Sequence, residues 1–306
     1  MIRAHRRLRL VAYALLATAA PGTLLAGYYQ TNLVSDVPGR ALRTDPNLVN
    51  PWGISASPTG PFWVSDNGTG VSTLYGGAGN IVPLVVTVPP AHGGTGPGSP
   101  TGQVFNGTTD FQVATNKPAV FLFASLDGTI SGWNPTVPAA GSTVAQRMVT
   151  AANAVYTGLA IGNNGAGNFL YAANALGGID AYNASFAKAT LPGGFSDASV
   201  PSGFTPYNIQ NLNGSLYVTY GTEGKPGGVV DRFDLNGNLL GRIATNGALN
   251  DPWGLAIAPS NFGELSNSLL VGNFGDGQIN AYDPITGVFR GTLTGTSGDP
   301  ISIQGL

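Results

Sequence analysis

Short apolar runs with a period of two, separated by polar turns, fill most of the chain, and the runs repeat. The segment NPWGIS (Asn50 to Ser55) recurs as DPWGLA (Asp251 to Ala256). In the second copy it leads into an apolar run (Ser268 to Gly272), a polar turn (Asn273 to Gly277) and a further alternating run (Gln278 to Asp283). That last run has in-phase copies at Thr129 to Asn134, Gly178 to Asn183 and Val229 to Asp234, each with an aromatic residue followed by Asn or Asp. The aromatics Trp133, Tyr182, Phe233 and Tyr282 return with a period of about 50, and a repeating position is a core position. Ile179 and Tyr182 are three residues apart, which requires a bulge or opposite faces. The trailing Asn or Asp opens a turn by bonding to the backbone ahead of it. Such a repeat predicts a small meander of about four strands, the content of a propeller blade rather than of a helical solenoid.

Inner strands are expected near Trp52, Phe111, Gly158, Tyr207, Trp253 and Ser302, giving five complete blades and the start of a sixth at Ile301 to Ile303. The longer first interval contains the Gly/Pro tract Pro89 to Gly102, which surrounds His92 and reads as an exposed spacer. A propeller hides its sheet edges by closing, so an incomplete last blade needs strands from elsewhere. The extended segment Gln30 to Val37 is the candidate for its outer strand. The expected fold is therefore all-β, a six-bladed propeller over 27–306 with its last blade incomplete in this chain.

The stretch NLVNPWGISASPTGPFWVSDNGTGVSTLY (Asn47 to Tyr75), the preceding TNLVSD (Thr31 to Asp36), and the later TNGALNDPWGLAIAP (Thr245 to Pro259) and LLVGNFGDGQINAYD (Leu269 to Asp283) resemble one known family. It consists of secreted bacterial proteins of uncharacterised activity, with a giant-virus relative, expected to form six-bladed propellers of the NHL or TolB-like kind. The resemblance covers nearly all of the chain beyond its first 26 residues. It implies a fold and export, and carries no activity with it. Family members continue past Gly305-Leu306 with a glycine-rich final blade, so the resemblance also implies that this chain is a fragment.

Only 9% of the residues are charged, against about 25% in ordinary domains, which disfavours long amphipathic helices and coiled coils. The absence of cysteine excludes disulfides, thiolate zinc sites and cysteine nucleophiles. Arg3, Arg6, Arg7 and Arg9 precede an apolar run from Leu10 to Ala20, Pro21-Gly22 and the small residue Ala26, which reads as a signal peptide over residues 1–26. The run is too short for a spanning helix, so no stable membrane span is expected once it is removed. Its removal takes the formal charge from −2 to −6, because those four arginines leave and no acid does. Nucleic acid is then a poor partner. The expected location is periplasmic, cell-surface or extracellular. His92 would be the one histidine left, in a Gly/Pro tract, which disfavours triads and multi-histidine metal centres.

Loops entering the inner strands and joining second to third strands share one face of a propeller, around its channel. Asn50, Asp66, Asn67, Asp127, Asn174, Asp251, Asn273 and Asp276 are placed on that face. They form a candidate ligand ring suited to a hard cation such as Ca²⁺ or to a sugar. Turn chemistry by itself also requires Asp and Asn at such positions, and is the stronger reading. Trp52 and Trp253 read more readily as packing between blades than as a carbohydrate platform. The function expected is a non-catalytic binding module for a surface polysaccharide or protein. The alternative is a Ca²⁺-dependent lactonase or gluconolactonase-like hydrolase, which uses a metal held by Glu, Asn and Asp. Glu223 and Glu264 are the two glutamates, and neither stands at the start of the first blade, where that family places a ligand.

Overall fold

Five four-stranded antiparallel meanders stand side by side in the computed structural model, which describes residues 27–303. The expected signal peptide and the residues after Ile303 lie outside the described residues. Blade 1 comprises Pro51–Ala56, Phe62–Asp66, Val71–Tyr75 and Ile81–Thr87. Blade 2 comprises Pro100–Phe105, Phe121–Ser125, Thr129–Trp133 and Gln146–Thr150. Blade 3 comprises Tyr156–Asn163, Asn168–Asn174, Gly178–Asn183 and Lys188–Ala189. Blade 4 comprises Thr205–Leu212, Ser215–Gly221, Val229–Phe233 and Leu239–Thr245, and blade 5 Pro252–Ile257, Leu269–Asn273, Ile279–Tyr282 and Phe289–Thr292. The chain is thus an all-β propeller with five blades among the described residues rather than six. The predicted repeats at 129–134, 178–183, 229–234 and 278–283 are the third strands of blades 2 to 5. Ile179 and Tyr182 sit in a regular ladder and serve opposite faces.

Four apolar clusters fill the four spaces between successive blades. Between blades 1 and 2, Trp63 stacks on Phe121 at 4.1 Å, with Leu74, Val86 and Trp133 around them. Leu122 and Ile130 of blade 2 meet Leu159 and Tyr182 of blade 3, Tyr171 of blade 3 meets Phe233 of blade 4, and Tyr217 and Val230 of blade 4 meet Leu269, Val271 and Tyr282 of blade 5. Burying each of these large side chains contributes roughly 1.5–3 kcal/mol. Inner strands touch through glycine. A Cβ on Gly102 would stand 2.2 Å from the Leu159 amide nitrogen, so that position admits no side chain. Gly254 of blade 5 meets only Gly272 of its own sheet. The arc is therefore packed from blade 1 to blade 5 and open between the outer sheets of blades 5 and 1, where Ile54, Phe62 and Ile81 remain 60%, 45% and 44% exposed.

Three expectations are corrected. The inner strand of blade 2 begins at Pro100, not near Phe111, and so includes the end of the tract read as a spacer; Phe111 lies in an inserted hairpin, Gln112–Ala114 with Lys117–Pro118. Pro100–Phe105 was hidden because the buried Thr101 and Gln103 break its apolar pattern with polar side chains. Thr101 donates to the Ala124 and Tyr156 carbonyls and Gln103 accepts from Ser65, so hydrogen bonds take the place of apolar alternation. His92 itself is exposed, as expected.

Second, Gln30 to Val37 does not edge the last blade. Val34–Ser35 pairs in parallel with Arg43–Thr44, and the segment lies against blade 1: Arg43 donates to the Ala78 carbonyl at 2.8 Å, and Tyr75 donates its hydroxyl to Asp45 at 2.9 Å. Tyr28 is held instead by blade 5, stacking on Phe262 at 4.5 Å and donating its backbone amide to the Thr294 carbonyl. Residues 28–49 therefore form a strap from blade 5 to blade 1. Third, Ile301 to Ile303 does not open a sixth sheet. Ser302 bridges Gln278, and the Ile303 amide bonds to the Gly277 carbonyl, as those of Ala151 and Asn246 bond to Gly128 and Gly228 at the ends of outer strands in blades 2 and 4. Ile301 to Ile303 thus returns to the outer edge of blade 5 after a hairpin closed by Thr294 and Pro300.

Candidate functional site

Every inner strand loses register at the same place. The shifts fall between Pro51 and Ile54, Tyr156 and Gly158, Pro206 and Asn208, and Pro252 and Gly254; in blade 2 the matching shift separates Pro100 from Gln103. A bulge bends its strand and re-aims the residue that it holds. Here those residues are Trp52, Thr157, Tyr207 and Trp253, and all four line a single cavity of about 410 Å³ at the mouth of the channel. Thr101, their counterpart in blade 2, is buried beside it in its hydrogen bond to the Tyr156 carbonyl. Loops ending the second strands of blades 3, 4 and 5 add Ala175, Glu223 and Phe274, and the turns before the two Pro-Trp pairs add Asn50 and Asp251.

The aromatic side chains form a connected wall. Trp52 and Trp253 meet edge to face at 4.8 Å, Tyr207 lies 4.9 Å from Trp253, and Phe274, half exposed, lies 6.3 Å from it. The tryptophan pair joins blades 1 and 5 at the mouth although their sheets do not pack together. Asn50 and Asp251 both adopt positive φ, 51° and 49°, directly before proline. Asn and Asp tolerate this region better than other side chains, but a following proline opposes helical backbone of either kind, so both turns are strained. The strain is held by backbone bonds, from the Asn67 amide to Asn50 and from the Phe274 amide to Asp251.

The mouth is electronegative. Asp251 is 4% exposed and its Oδ1 has no hydrogen-bond partner; burial, and to a lesser degree Glu223, raises its pKa against the pull of the Gly224 and Thr222 amides. Burial together with the fields of Asp251 and Glu223 pushes the Tyr207 phenol up to about 12.

Of the eight residues expected on this face, the cavity gathers Asn50 and Asp251. Asn67 lies beside it, receiving the Asn50 amide at 3.3 Å and donating to the Pro100 carbonyl. Asp66 is fully buried in blade 1 and accepts from Thr73 at 2.7 Å. Asp127 holds the Ala91 amide at 2.6 Å, Asn174 accepts from the Val155 and Leu176 amides, Asn273 donates to the Ala248 carbonyl, and Asp276 accepts from the Gln278 amide. These four side chains close turns or tie loops. Sequence reasoning missed Tyr207, Glu223 and Phe274 as site residues. The signal for Tyr207 was present: TPYN places it where NPWG and DPWG place tryptophan.

Asn50, Glu223 and Asp251 supply the side-chain types of the calcium sites in lactonase-like propellers. Ca²⁺ takes roughly six to eight oxygens, whereas this mouth is walled by four aromatic rings and offers few side-chain oxygens, chiefly those of Asn50, Glu223 and Asp251. Among the described residues no three acidic or histidine side chains converge. The donors fall short of a calcium cage.

No family model matches the chain. It is 33% identical over 293 residues to an uncharacterized protein of Acanthamoeba polyphaga mimivirus, covering 90% of this chain and 71% of that protein. A second uncharacterized mimivirus protein is 32% identical over 304 residues, covering 94% and 79%. Among solved structures, a chain of a nidogen/laminin complex superposes with a TM-score of 0.53 at 9% identity, covering 82% of each chain, and a streptogramin B lyase with a TM-score of 0.48 at 15% identity, covering 84% of this chain and 70% of that one. These likenesses concern the fold.

Proposed function

As the chain belongs to the family of these two mimivirus proteins, we propose, from its own geometry, that it is an exported, non-catalytic binding module that captures a surface ligand at the mouth of its channel. The observation that carries this reading is the convergence of four bulged inner strands on one cavity. Its volume lies within the roughly 300–1,000 Å³ of ordinary ligand pockets, and its aromatic wall with a few convergent polar groups has their usual composition. Four of the five bulged strands present their residue to this cavity while Thr101 of blade 2 makes a buried hydrogen bond beside it, and that convergence supports selection for a mouth. No helix among the described residues is long and apolar enough to cross a membrane. The ligand is read as part of a surface polysaccharide or protein.

Tryptophan fluorescence titrated with soluble polysaccharides and with basic and acidic peptides tests this. A ligand that perturbs the emission, and whose binding falls at least about 10-fold in Trp253→Ala, supports the module. Binding unaffected by that change places the site elsewhere. Turnover of a lactone panel that disappears in Glu223→Gln replaces binding with catalysis.

A further inference from the structure

The lining chemistry narrows the ligand. Trp52, Tyr207, Trp253 and Phe274 present ring surface, Glu223 and Asp251 are the charged groups, and no lysine, arginine or histidine lines the cavity. Lys225, two residues beyond Glu223, is exposed and does not line it. Aromatic faces carry negative quadrupole potential, and several rings around one point hold a cation whose hydration shell has been removed. Asp251 lines the cavity, is more than nine-tenths buried and has a carboxylate oxygen without a hydrogen-bond partner, so water screens its charge little. An anion would meet both carboxylates without a compensating cation.

We infer that the mouth selects an organic ammonium group, free or carried on a protein side chain. The inference rests on the reading of this cavity as a binding site. It sharpens that reading, because the rings and the two carboxylates act on the same volume.

Calorimetric titration of the full chain tests it with choline, with Nα-acetyl-trimethyllysine amide, and with 3,3-dimethylbutan-1-ol, which has the shape of choline without its charge. Calcium chloride is the control cation. At least one ammonium probe is expected to bind about 10-fold or more tightly than the neutral alcohol. Preference for choline identifies a free amine, and preference for the lysine derivative a side chain. Glu223→Gln, which alters an exposed side chain, is expected to weaken ammonium binding about 3- to 10-fold and to leave the alcohol unchanged. Equal binding of the alcohol and the ammonium probes overturns charge selection while leaving the cavity as a site. Failure of all three organic probes overturns the ammonium assignment, and saturable calcium binding in their place assigns the mouth to a metal.

Discussion

Asp66 shows how one buried side chain sets a pH dependence. It has no exposed surface, and burial raises its pKa from 3.8 to about 7 although the Thr73 hydroxyl donates to it; the nearby charge of Asp45 adds to the rise. The folded state therefore holds a proton that the unfolded chain has released between pH 3.8 and about 7, and stability falls as pH rises through that window. Asp66→Asn keeps an acceptor for Thr73 and cannot ionise. The variant is expected to match the parent near about pH 4 and to exceed it near about pH 8, with an upper bound of about 4 kcal/mol at about 1.4 kcal/mol for each tenfold change in proton affinity. Urea midpoints measured across pH check this, and a parent more stable than the variant at the higher pH refutes it. The sequence marked Asp66 as polar and turn-adjacent. That it faces inwards depends on its ladder with Pro51 and Val71 and on the strap that covers this face.

Among the elements, the strap is the least expected. Tyr75 occupies in blade 1 the place of Trp133, Tyr182, Phe233 and Tyr282, whose side chains each pack towards the preceding blade. No blade precedes blade 1 in the chain, and Tyr75 is instead covered by the strap through Asp45. The other end of the strap depends on Tyr28, through its stack on Phe262 and two hydrogen bonds. Tyr28→Ala is expected to cost about 1–2 kcal/mol and to raise amide exchange in Phe289–Thr292 more than in the central blades. Uniform exchange after the substitution would show that the contact does not hold the strap to blade 5. The third strands of blades 2 to 5 were legible because alternation, an aromatic and a trailing Asn or Asp coincide in each. The blade 2 inner strand and the strap were not, since the first buries polar residues against a neighbouring blade and the second pairs over too few residues to leave a period.

For the whole molecule, blades 2, 3 and 4 have an apolar cluster on both faces, whereas blades 1 and 5 each have one. When each sheet contacts only its neighbours, local stability follows the number of interfaces it shares. Native-state hydrogen exchange is therefore expected to be slowest in Phe121–Ser125, Asn168–Asn174 and Ser215–Gly221 and faster in Phe62–Asp66 and Leu269–Asn273. Equal protection in all five second strands would mean that the opening between blades 5 and 1 carries no energetic weight. Period-two patterning and turn residues are local properties, so the sequence by itself determined that the chain forms repeated meanders and where most of them lie. Which tryptophans serve the core and which the mouth, which aspartates carry strain and which close turns, and how the first and last blades are held were decided by tertiary structure. Those roles depend on residues separated by up to the length of the chain meeting at one axis, and a linear pattern does not encode that approach.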